Sequence, residues 1–168
     1  MKSTTQPKIP APLQFTCSAE LNRDAASVFE LLSTSEGMER WVPACKGVRW
    51  EHPQGPSGGA LAVGSIRYVS VAAGIVARED IVRVERPQRL HYQIVSAGFR
   101  VSRFLAHYEG VNVLTPLGDA RCRLDWQIHF RCQSWCRGAE PLWRIALKPL
   151  ISLMVDNVVR ICGGRRVD

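Results

Sequence analysis

At 168 residues, 46% hydrophobic and 22% charged, the chain has the size of one domain and the apolar content for a full core, which excludes a disordered, coiled-coil or collagen-like chain. No uncharged apolar run reaches the roughly eighteen residues that a membrane-crossing helix needs. The 22 Lys and Arg against 15 Asp and Glu give a formal net charge of +7, which admits an anionic partner without requiring one.

Residues 1–12 are polar and interrupted by Pro7, Pro10 and Pro12, with no apolar stretch for a signal peptide, and are expected as a flexible tail. A first strand is predicted over Leu13–Leu21. Asn22 is the expected N-cap of a helix near Asp24–Ser33, in which Ala25, Val28, Phe29 and Leu32 follow the i, i+3, i+4, i+7 pattern of one apolar face. A second short helix over Glu36–Trp41 ends before Pro43, a strand follows over Gly47–His52, and the Pro/Gly-rich Pro53–Gly59 reads as a loop.

From Gly64 the period turns to two. Strands are predicted over Ser65–Ala72, Ile75–Glu85, Arg89–Val95, Arg103–Thr115 and Ala120–Cys132, separated by Ala73-Gly74, Arg86-Pro87-Gln88, Ala97-Gly98 and Pro116–Asp119. The last is the cleanest. Cys122, Leu124, Trp126, Ile128 and Phe130 alternate with Arg121, Arg123, Asp125, Gln127, His129 and Arg131, as in an antiparallel sheet with one face on a core and one in water. The short turns imply a meander.

Over Gly138–Cys162 the period becomes helical. Trp143, Leu147, Leu150, Met154, Val158 and Ile161 form one stripe, widened by Leu142, Ala146, Ile151 and Val155, with Pro149 inside it as an expected kink and Gly163-Gly164 as the stop. The expected organisation is an α+β domain over residues 13–163: about seven antiparallel strands, two short helices after the first strand, and a long C-terminal helix. Residues 164–168 are left as a tail.

Six cysteines (Cys17, Cys45, Cys122, Cys132, Cys136, Cys162) are scattered through a chain long enough to fold without staples, and are expected as reduced thiols in a cytoplasmic protein. Cys132 and Cys136 lack the spacing and the second ligand pair of a zinc site, so no metal is expected. Eighteen of the 22 basic residues are arginine. They lie among acids and apolar residues, as in Arg83-Val84-Glu85-Arg86, which fits a solvated strand face and no specific nucleic-acid partner.

The order of elements, with Ala26-Ser27-Val28-Phe29-Glu30-Leu31-Leu32, Met38-Glu39-Arg40-Trp41-Val42-Pro43, the run from Glu79 to Tyr92, Thr115-Pro116-Leu117-Gly118-Asp119 and Leu124-Asp125-Trp126, resembles the START-type, birch-pollen-allergen-like helix-grip superfamily. Within it the chain is most similar to the bacterial polyketide cyclase/dehydrase-like families. The resemblance runs from about Leu13 to Gly163 and rests on packing and turn motifs, which speak to fold more than chemistry. It implies a curved sheet gripping the C-terminal helix, with a cavity between them.

Candidate ligand-binding residues are the aromatics Trp41, Tyr68, Tyr92, Tyr108, Trp126 and Trp143, with Met154 on the helix stripe. Alternation puts Leu90, Tyr92 and Ile94 inward and His91 outward. It also puts Phe104, Ala106, Tyr108, Gly110, Asn112 and Leu114 inward, a row too small and polar for a filled core, with Tyr108 and Asn112 as polar handles. In the competing account, Tyr92 and Tyr108 are core aromatics whose hydroxyls reach the rim. Arg78 and Asp80 share a face with Val82 and Val84. That pair either projects inward to meet a ligand carboxylate or phenolate, or is a surface ion pair. His107 and Glu109 share the expected solvent face, and His52, His91 and His129 are expected at the surface.

No GxSxG, HExxH or P-loop occurs, and neighbouring Glu79 and Asp80 point to opposite faces, so no carboxylate dyad forms. The leading expectation is therefore a monomeric or homodimeric binder of a hydrophobic or amphipathic small molecule (a lipid, quinone or aromatic metabolite), with no cofactor. The alternative is a cyclase/dehydratase-type enzyme, for which the resemblance implies a shaped pocket with Arg, Tyr or polar side chains and no catalytic signature. A third class is a protein-interaction module, motivated by the positive charge and Arg165-Arg166.

Overall fold

The computed structural model describes residues 11–52, 61–96 and 98–167. The expected N-terminal tail up to Pro10 and the Pro53–Gly59 loop lie outside the described residues. The strands are β1 (Leu13–Leu21), β2 (Cys45–Glu51), β3 (Ile66–Val71), β4 (Val76–Glu85), β5 (Arg89–Ser96), β6 (Leu105–Pro116), β7 (Cys122–Cys132) and β8 (Gly164–Arg166). The helices are α1 (Ala25–Ser33), α2 (Ser35–Trp41) and α3 (Glu140–Cys162). All eight strands form one antiparallel sheet in the order β2-β3-β4-β5-β6-β7-β1-β8. The meander from β2 to β7 and the long final helix are as expected, and the architecture is the helix-grip fold.

Two terminal features differ from expectation. Gly164–Arg166, expected as a tail, pairs with Ala19–Leu21 of β1, and Arg166 reaches Ser152 O and Asp156 on α3. Asp24, not Asn22, caps α1: its Oδ1 accepts from Ser27 N at 2.9 Å, while Asn22 N donates to Gly163 O and ties the start of α1 to the end of α3.

In β7 the inner residues Cys122, Leu124, Trp126, Ile128 and Phe130 are all buried, as their alternation predicts. They pack with Phe15, Cys17, Ala19 and Leu21 of β1, and with α1, whose Val28, Phe29 and Leu32 close one end of the concave face. The core stripe of α3 runs through Leu147, Ile151, Val155, Val158 and Cys162, while Leu142, Ile145, Leu150 and Leu153 are exposed. That stripe is rotated about one residue from the predicted one. The helix continues through Pro149, which has no N–H for the Ile145 carbonyl.

Bulges decide which residues face inward. A register shift between Leu105 and His107 puts Leu105 in the core and leaves Ala106 exposed, against the expected inward row of Phe104 and Ala106; beyond it Tyr108, Gly110, Asn112 and Leu114 are buried as predicted. A second shift, between Ile81 and Arg83, brings Val84 onto the core side with Ile81, Glu79 and Ala77. Arg78 and Asp80 consequently lie on the opposite face as a half-exposed ion pair at 3.0 Å, which corrects the inward reading.

The convex face also departs from expectation. His91 and His129 are buried, not at the surface: His91 Nε2 meets Glu109 Oε2 at 2.9 Å, and His129 Nδ1 meets Ala11 O at 3.3 Å. Glu109 therefore partners His91 and not His107. All six cysteines are free, and among the described residues no helix is long and apolar enough to cross a membrane.

Candidate functional site: an apolar cavity with one polar pole

A cavity of about 370 Å³ lies between the concave sheet and helices α2 and α3. Its walls come from five strands and both helices, so no short motif could encode it. Met38 and Trp41 enter from α2. The Trp41 indole donates to Leu31 O at 2.9 Å, and its ring meets Trp126 edge-on at 5.2 Å between centroids. Trp143, Leu147, Ile151 and Met154 form the helix side.

Six of the nine candidate residues surround this space: Trp41, Tyr92, Tyr108, Trp126, Trp143 and Met154. Three do not. Tyr68 is on the outer face, its ring under the Arg49 guanidinium at 4.1 Å and its hydroxyl on Glu51. Arg78 shares that face. Asn112 is buried behind the wall, and its Oδ1 has no partner among the described residues.

The polar groups gather at one pole. Arg67, 1% exposed, is the cross-strand neighbour of Glu79; its Nε donates to Oε2 at 2.5 Å, and its Nη2 lies 2.5 Å from the same oxygen as an ion pair. Arg67 Nη1 reaches Leu32 O at 3.3 Å, and the guanidinium lies 5.4 Å from the Trp50 ring centre and 5.0 Å from that of Tyr92. Glu79 lines the cavity, and its Oε1 accepts no hydrogen bond from any described residue. Sequence reasoning missed this pair because it placed the charged pair of β4 one residue away. The available signal was a Glu cross-strand from an Arg on the period-two face of Ile81.

Tyr92 and Tyr108 complete the pole. The Tyr92 hydroxyl accepts from Trp126 Nε1 at 3.1 Å, and its ring lies across Gly110, where a β-carbon would come within 2.4 Å of it. Gly110 is thus the floor on which Tyr92 rests. Tyr108 lines both this cavity and a smaller neighbouring one, and its hydroxyl has no hydrogen-bond partner among the described residues. Burial, then the nearby Glu79 charge, pushes both phenols well above their ordinary range, so both are neutral hydrogen-bonding groups. Among the described residues no three His, Cys, Asp or Glu side chains cluster as metal ligands.

The family described as polyketide cyclase / dehydrase and lipid transport matches residues 12–163. The chain belongs to that family.

Solved structures of this polyketide cyclase / dehydrase and lipid transport fold extend the likeness at low identity. A START superfamily protein from Mycobacterium smegmatis is 11% identical with a TM-score of 0.68, over 88% of this chain and 95% of that one. A norcoclaurine synthase point mutant from Thalictrum flavum, in complex with a transition-state analogue, is 15% identical with a TM-score of 0.64, over 92% and 97%. Ginseng major latex-like protein 151 from Panax ginseng is 14% identical at 0.64, over 89% and 96%. No curated protein sequence matches the chain. Family and fold make this a START-like domain of the hydrophobic-ligand-binding kind.

Proposed function

We propose that the protein binds a hydrophobic or amphipathic small molecule in the cavity between the sheet and α3. One observation carries the reading: about 370 Å³ of space is walled by apolar and aromatic side chains, with its few polar groups confined to one end. A space meant as core would be filled, because unfilled volume costs stability, and cavities of this size and character are the usual small-molecule sites. The family's description, which includes lipid transport, agrees.

The test is mass spectrometry of the purified protein, native and then denatured and extracted, together with melting across panels of lipids, quinones and aromatic compounds. A stoichiometric co-purifying compound, or a raised Tm with an apolar ligand, supports the reading. Melting indifferent to every compound counts against it.

A second reading, an enzyme of the cyclase/dehydratase type, is favoured by one specific feature: Tyr108 and Glu79 both line the cavity, and neither the Tyr108 hydroxyl nor Glu79 Oε1 has a hydrogen-bond partner among the described residues. A neutral phenol can donate a hydrogen bond to a carbonyl oxygen while a carboxylate accepts a proton, which is the division of labour a condensation and dehydration need. Turnover of an aromatic polyketide precursor, lost in Tyr108→Phe, would support it. Turnover unchanged in that variant would remove Tyr108 from the chemistry.

A further inference from the structure

We infer that the binding site has a second chamber, at a fork between β5 and β6, which takes the carboxamide head of an amphipathic ligand whose apolar body fills the main cavity. The inference rests on the binding reading above and adds the chemistry and the place of the ligand's polar end.

The fork is built by two bulges. The β5–β6 ladder ends at Gln93 and Glu109, although β5 runs on to Ser96 and β6 begins at Leu105. Against β4, Ile94 opposes Glu79 and Ser96 opposes Arg78, so Val95 is an extra residue in β5. Against β7, Leu105 opposes Cys132 and His107 opposes Arg131, so Ala106 is an extra residue in β6. A bulge bends its own strand and interrupts regular pairing. Here the two lie on facing strands, and residues 94–96 and 105–108 have no cross-strand partner over the gap. The sheet is open there, with one unpaired strand edge on either side.

The opening is a chamber of about 170 Å³, and Ile94, Val101 and Tyr108 line both it and the main cavity, so the two spaces adjoin. Its character is the reverse of its neighbour's. Gln93, Ser96, Ser102 and Gln133 bring polar groups to it, and among the described residues no charged side chain lines it. Gln133 Nε2 donates to Ser102 O at 3.3 Å, while the Gln93 amide has no partner among the described residues.

These groups choose among ligand heads. A strand edge offers N–H and C=O groups side by side, and a glutamine amide does the same. A carboxamide carries a donor and an acceptor together and can answer either, as one peptide unit answers another when a strand is added to an edge. A carboxylate only accepts and an ammonium only donates, and the described lining holds no counterion for either. A hydrocarbon end has nothing to exchange with these groups and stays in the main cavity.

The experiment uses the full chain, isotope-labelled for proton–nitrogen NMR, and equilibrium dialysis with four probes of one shape: 3-(2-naphthyl)propanamide, 3-(2-naphthyl)propanoate, 3-(2-naphthyl)propylammonium and 2-butylnaphthalene. The amide is expected to bind about tenfold tighter than either ion, the gain of two neutral hydrogen bonds. It should shift the side-chain amide signals of Gln93 and Gln133, which butylnaphthalene leaves in place. Ala106 is exposed and lines the chamber, so Ala106→Trp fills that space without entering the core. In this variant the amide should bind about tenfold more weakly and butylnaphthalene within about twofold of wild type; Gln93→Leu should weaken the amide about fivefold. Tightest binding by either ion, or a bound amide that moves neither glutamine signal, would overturn the second chamber while butylnaphthalene binding upholds the main cavity. No binding by any probe would overturn both.

Discussion

Arg67 brings two nitrogens to one oxygen of Glu79, a residue of the cavity wall, and the other oxygen of that carboxylate has no hydrogen-bond partner among the described residues. The pair therefore serves two ends: it neutralises a guanidinium beneath the sheet's concave face, and it keeps one strong acceptor available. Removing one partner leaves the other charged and buried. Glu79→Gln should cost about 3–5 kcal/mol in urea denaturation, whereas Arg67→Met with Glu79→Leu should fall within about 1 kcal/mol of wild type or above it. A single variant as stable as the wild type would mean that water already reaches Arg67.

Gly110→Ala places a methyl where the Tyr92 ring now lies. The ring has one direction of escape, into the cavity, and its hydrogen bond from Trp126 goes with it. The expected result is a folded protein destabilised by about 1–3 kcal/mol that no longer takes up an apolar ligand in the cavity. Crystallography or ligand dialysis checks it; unchanged uptake would show that the wall accommodates the methyl elsewhere.

Burial holds the imidazole of His129 below its ordinary value of 6.5, more than the neighbouring Glu109 and the Ala11 carbonyl raise it. In the folded protein the charged form is disfavoured, so this residue's contribution is complete above the unfolded value and is lost as pH falls through the folded one. Stability should drop on acidification from pH 8 into the range below about 6.5, and His129→Gln should flatten that part of the profile. Parallel profiles for the two proteins would assign the acid sensitivity to other groups.

The two halves of α3 are held differently. Leu142, Ile145 and Leu150 are exposed and Pro149 lacks a donor, while Val155, Val158 and Cys162 are buried and Asn157 Nδ2 donates to Trp41 O at 2.9 Å. Amides of residues 143–148 should exchange about tenfold faster than those of residues 153–160, a difference of about 1.4 kcal/mol in opening. A cavity ligand should slow the first group more, because Trp143 and Leu147 line the space there while the second group adds Met154 to an already buried stretch. Uniform exchange along the helix would contradict this division.

The elements were legible because their periods are long and clean, as in Cys122 to Phe130, and because turns such as Arg86-Pro87-Gln88 punctuate them. The wall aromatics were legible for the same reason, since Tyr92 and Trp126 sit in undisturbed alternation. What failed was parity across a bulge. Counting by twos from Val84 back to Arg78 ignores the extra residue between Ile81 and Arg83, and so exchanges Arg78 for Glu79 at the cavity. The same slip at Leu105 misplaced Ala106. A bulge is a local backbone event with no side-chain signature of its own, so one residue of ambiguity reverses every face beyond it. The burial of His91 and His129 had no periodic signal either, because both sit at outward positions of their strands.

Six thiols, none joined to another, run through the walls and core of this domain. Burial pushes those of Cys122 and Cys132 up to about 11, so at neutral pH they are protonated and poor nucleophiles. The shape of the cavity is thus held by packing and hydrogen bonds with no disulfide, so a reductant has no bond in its frame to open.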